Sequence, residues 1–65
     1  MTQLQEIQKH LKEYGEINPL MALERYGCMR LAARIQELRG MGMKIKTQIR
    51  KGNGKAYASY KLEGL

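Results

Sequence analysis

The chain contains no aspartate, tryptophan or phenylalanine, and it has one cysteine, one proline, one histidine and one serine. Cys28 alone cannot close an intrachain disulfide, so the stapling that many small secreted domains rely on is absent and a reducing, intracellular setting is expected. His10 and Cys28 are the only soft metal ligands and stand in different segments, so four zinc ligands cannot be assembled from one chain. A single His, Cys and Ser with scattered glutamates offers no converging nucleophile and base, so neither enzymatic activity nor a cofactor is expected. Gly52-Asn53-Gly54-Lys55 superficially matches a phosphate loop. That motif needs Gly five residues before its Gly-Lys and a hydroxyl after it, where this chain has Ile49 and Ala56. No apolar run exceeds Leu20-Met21-Ala22-Leu23, so neither a membrane span nor a signal peptide is expected.

What the chain does carry is positive charge. Its 65 residues hold 12 Lys and Arg against 6 acids, a formal charge of +6. A chain this short buries only about 60% of its unfolded surface, which leaves room for one domain (residues 1–65), one thin core and no large enclosed active site. The charge is unevenly spread. Residues 1–24 hold Lys9 and Lys12 against Glu6, Glu13, Glu16 and Glu24, a net of −2. The remainder has ten basic residues against Glu37 and Glu63, a net of +8. Between Leu38 and Leu62 every charged residue is basic: Arg39, Lys44, Lys46, Arg50, Lys51, Lys55 and Lys61. A one-sign surface of this density points to a polyanionic partner.

Hydrophobic spacing predicts three helices. Thr2 and Gln5 have capping-box spacing, and Leu4, Ile7, Leu11 and Tyr14 recur at helical intervals until Gly15, giving a helix over 2–14 with His10 exposed on it. Asn18-Pro19 opens a second over 19–26, burying Leu20, Leu23 and Tyr26 and broken by Gly27. Leu31, Ile35 and Leu38, with Ala32 beside them, mark a third over 29–39, ended by Gly40 and Gly42. One or two residues then separate the second and third helices, which suits a steep helix-turn-helix crossing; an ordinary three-helix bundle is the alternative. Met21 and Met43 read as core fillers and Met29 and Met41 as exposed apolar residues.

From Met43 the period changes to 2. Strands are predicted over 43–50 and 56–62 about an Asn53-Gly54 turn, because a type I′ turn needs positive φ at both central residues. A two- or four-residue loop pairs Ile45 with Leu62, Thr47 with Tyr60 and Ile49 with Ala58 on the inner face. The outer face then pairs Lys46 with Lys61, Gln48 with Ser59 and Arg50 with Tyr57. A three-residue loop reverses the parity and turns Tyr57 inward. Two opposed lysines make sense if a polyanion neutralises them. Ile17 is a candidate for a short third strand.

Helix, short extended residue, helix, tight turn, helix and basic hairpin together resemble a winged helix-turn-helix DNA-binding domain, an α+β fold. The run from Ala22 to Arg39, with Arg30-Leu31-Ala32-Ala33-Arg34-Ile35 at its centre, is similar to small helix-turn-helix proteins often encoded by bacteriophages and prophages. Many of these place Thr before the Arg of the third helix. Met29 stands there instead, so a side-chain cap comes weakly from Cys28 or not at all. The resemblance implies double-stranded DNA binding by a phage-type transcriptional regulator in the cytoplasm, with the third helix in the major groove and the hairpin as the wing. An excisionase-like architectural protein, or a phage protein that modulates a host protein, fits the same outline.

The residues themselves fit that placement. With Leu31, Ile35 and Leu38 turned to the core, Met29, Arg30, Ala33 and Glu37 point outward and Arg34 lies on the flank. Arg30 and Arg34, one turn apart, suit guanine edges or successive phosphates, and Ala33 allows close approach to a thymine methyl. The structural alternative is a solvated face with an Arg34–Glu37 ion pair. Lys46, Arg50, Lys51, Asn53 and Lys55 are the expected phosphate or minor-groove contacts; the alternative is a charged edge that resists aggregation. One copy offers few contacts, so homo-oligomers or tandem copies on DNA are expected.

Overall fold

A computed structural model describes residues 2–63. Helix α1 spans Gln3–Tyr14, with Thr2 as its N-cap: the Thr2 side chain accepts from the Gln5 backbone while the Gln5 side chain accepts from the Thr2 backbone, the expected capping box. Strand β1 is the two-residue Glu16–Ile17. Helix α2 spans Pro19–Tyr26, its first turn capped by the Asn18 side chain at 2.8 Å from the Met21 amide. Gly27 ends it at φ 64, a left-handed conformation that costs a Cβ-free residue least. Helix α3 is Leu31–Gly40, and β2 (Ile45–Gly52) and β3 (Lys55–Leu62) form the hairpin.

The sheet order is β1-β3-β2, antiparallel throughout, so Ile17 does supply a third strand. Asn53 at φ 52 and Gly54 at φ 75 give the turn its two positive φ values, and the two-residue loop fixes the predicted pairing. Tyr60 is therefore buried, while Tyr57 lies on the outer face opposite Arg50. The core joins Ile7, Leu11, Ile17, Ala22, Cys28, Leu31, Ile35, Leu38, Ile45 and Tyr60, with Met21 and Met43 packed at its edge. Both α2 and α3 rest on α1. Met29 and Met41 are exposed, as their positions suggested.

Several expectations are corrected. Leu20 and Leu23 are exposed and Ala22 is buried, because four consecutive apolar residues leave the helical phase open and the smallest side chain lets the α2 backbone approach closest. His10 is buried, and Tyr14 is exposed at the helix end. Ile49 has the inward parity but is 68% exposed, since the hairpin continues beyond the helices that would cover it. The third helix starts at Leu31, not at 29. After Gly27 the Cys28 side chain enters the core, and Arg30 sits at φ −128 and ψ 59 before the first helical turn. Four residues, Gly27 to Arg30, thus link α2 and α3. The first hairpin strand begins later and runs farther towards the tip than predicted, at 45–52 instead of 43–50, and the second begins one residue earlier, at 55–62 instead of 56–62.

Candidate nucleic-acid interface

The core positions Leu31, Ile35 and Leu38 fix the roll of α3 and leave Ala32, Gln36, Glu37 and Gly40 exposed, with Ala33, Arg34 and Arg39 half-buried. Ala32 and Gln36 were not among the residues expected to point outward. Their one-turn spacing, offset by a single residue from Leu31 and Ile35, was the available signal. Arg34 forms a 2.9 Å ion pair with Glu37, and its Nε is buried without a hydrogen-bond partner among the described residues. Arg30 precedes the helix, so the expected pairing of Arg30 and Arg34 on one helical face is replaced by an arginine in the loop and an arginine on the flank. No side chain caps α3, as Met29 in place of a hydroxyl residue foretold. Met29 itself is 86% exposed, just ahead of Arg30.

Arg39 in the last turn of α3 donates from Nε and Nη2 to the Ile45 carbonyl at 3.1 and 2.8 Å, and from Nη2 to Thr47 Oγ1 at 2.9 Å. The planar fork of arginine suits such a clamp, which fixes the foot of β2 against α3. On the hairpin, Lys46 and Lys61 face each other in register and are exposed, and Lys51, Asn53 and Lys55 surround the tip. Only two ion pairs occur among the described residues, Arg34–Glu37 and Arg50–Glu16. Arg30, Lys44, Lys46, Lys51, Lys55 and Lys61 therefore have no carboxylate partner there.

Arg50, expected to be a free wing cation, donates from Nε and Nη2 to Glu16 at 2.5 and 2.8 Å. The buried Ser59 hydroxyl donates to the same carboxylate. The Arg50 guanidinium, and then the Ser59 hydroxyl, hold the Glu16 carboxyl well below the ordinary carboxylate range, at about 2.

With this geometry in place, one comparison decides the family. A family model described as a winged helix-turn-helix domain matches residues 2–64. The chain belongs to the winged helix-turn-helix domain family. No curated protein and no solved structure matches it. The winged-helix assignment agrees with the three helices and small antiparallel sheet, and it supports DNA binding as the general activity. No group of metal-ligating side chains is assembled among the described residues, and none of their helices is long and apolar enough to cross a membrane.

Proposed function

We propose that the protein is a sequence-preferring binder of double-stranded DNA, of the small phage or prophage regulator type, acting in the cytoplasm. Helix α3 enters the major groove, presenting Ala33, Arg34 and Glu37, with Met29 and Arg30 from the loop before it. Gln36 joins this set, because an exposed amide at that position can pair with an adenine edge. Lys46, Lys51, Asn53 and Lys55 of the wing hold the backbone or minor groove. The observation that carries the reading is the set of basic side chains without carboxylate partners on the hairpin, including two lysines held directly across the ladder. Such repulsion is tolerable where phosphates neutralise it.

Single DNA-binding modules cover roughly 600–1,000 Å² and full specific sites more. A chain of 65 residues is one such module, so two or more copies make up an extended site. Selection of bound sequences from a random duplex library tests the proposal. Enrichment of one motif, repeated directly or inverted, is the expected result. Binding without enrichment indicates an excisionase-like architectural role. Absence of binding at about 50 mM salt, where counterion release favours the complex most, rejects the DNA reading. A second reading, docking on a host protein, draws on the apolar groove formed by Leu20 and Leu23 of α2 with Ala56 and Tyr57 of the wing.

A further inference from the structure

We infer that Glu16 and Arg50 form a brace that sets the orientation of the wing, so that Arg50 serves DNA binding by positioning the hairpin instead of touching a phosphate. The inference rests on the DNA-binding reading.

Glu16 lies on β1 and Arg50 on β2, the two edges of the sheet, and their contact crosses the central strand β3 above Ser59. The geometry is a two-pronged fork, the arrangement in which arginine and carboxylate hold each other most rigidly. Ser59 is fully buried, and its hydroxyl also lies 3.4 Å from the Ile17 carbonyl, so the carboxylate is seated on the β1–β3 junction. Beyond that junction the hairpin has little else to hold it. Strand β1 pairs with β3 only at Lys61 and Tyr60, Ile49 is 68% exposed, and Lys51 to Tyr57 are all exposed. Arg39 fixes the foot of β2, and the Glu16 fork holds it at Arg50, in the half nearer the tip. The tip carrying Lys51, Asn53 and Lys55 extends from that second point.

Simple electrostatics and the brace predict opposite signs. A carboxylate near a polyanion is unfavourable, so neutralising Glu16 by Coulomb's law alone, or by freeing Arg50 to reach a phosphate, strengthens binding. If the pair is a brace, neutralising Glu16 weakens it, because the wing loses its preferred direction and must be reordered on DNA.

The test compares wild type, Glu16→Gln, Arg50→Gln and the double variant on one labelled duplex by fluorescence anisotropy. A fifth protein exchanges the charges, Glu16→Arg with Arg50→Glu, at unchanged net charge. Each single variant is expected to weaken binding about five-fold, the double variant no more than either single, and the exchange to recover most of the loss. Hydrogen exchange of the wing amides in the free protein is expected to rise in both single variants. Tighter or unchanged binding by Glu16→Gln overturns the brace, as does an Arg50→Gln loss that persists undiminished in the Glu16→Gln background. Unchanged wing exchange overturns it without reference to DNA, whereas wild type that fails to bind any duplex, with wing exchange raised as expected, removes the DNA reading and leaves the brace without the role inferred for it.

Discussion

The burial of His10 leads to a prediction in which sign and size can both be worked out. Its Nδ1 lies 2.7 Å from the Tyr26 hydroxyl, the two rings meet edge to face at 5.6 Å, and among the described residues Nε2 is buried with no partner at hydrogen-bond geometry, the Glu16 backbone lying near the ring without closing a well-formed bond. Tyr26→Phe keeps the packing but removes the one side-chain hydrogen-bond partner of the buried ring. An unsatisfied buried polar group costs about 1–3 kcal/mol. A domain of this size loses about 4–8 °C of Tm per kcal/mol, so thermal melting followed by circular dichroism at about pH 8 should show a fall on the order of 10 °C.

Burial also pushes the His10 pKa below its ordinary value, opposed in part by the backbone of Glu16. The unfolded chain therefore binds a proton near pH 6.5 that the folded chain refuses. Stability is full above that pH and falls as acid is added, by at most about 1.4 kcal/mol per pH unit, until the lower folded value is reached. His10 is the chain's one histidine. His10→Leu should therefore flatten the slope just below about pH 6.5. A Tyr26→Phe melting point within about 2 °C of wild type, or wild-type stability that stays level over that window, refutes the reasoning.

Ile35 is fully buried at the centre of α3, and Ile35→Ala should cost about 2–5 kcal/mol, a large part of the total stability of so small a domain; urea titration measures the loss. Glu16 titrates at about 2 when folded, so the stability it contributes is present above its ordinary 4.5 and disappears as pH falls towards 2. In Glu16→Gln that part of the acid-unfolding curve should be missing. On DNA, Gln36→Ala should relax base preference at one position of the selected motif. Lys51→Ala should instead weaken all duplexes alike and lower the salt slope by about 1.

How far the sequence revealed this protein varied from element to element. The hairpin was legible down to its register, because Asn53-Gly54 dictates the turn and a period of 2 admits a single pairing once the loop length is set. The caps at Thr2 and Asn18 were equally plain. The phase of α2 was not, since Leu20-Met21-Ala22-Leu23 is apolar on every side. His10 sits three residues after Ile7 and one before Leu11, within the apolar stripe, and residue type outweighed that position in the expectation of exposure. The start of α3 was obscured because no capping residue marks it. The engagement of Arg50 lay beyond any local pattern: its partner Glu16 is 34 residues earlier, and only the sheet order brings them together. A sum of charges counts both as free.

Salt dependence of binding to a duplex tests the central claim most directly. If Arg30, Lys46, Lys51 and Lys55 each neutralise a phosphate, log Kd against log salt has a slope of magnitude about 3.6, and affinity falls about 150-fold between roughly 50 and 200 mM. A slope near that value supports the winged-helix surface described. Affinity that is absent at about 50 mM, or that does not change with salt, contradicts it.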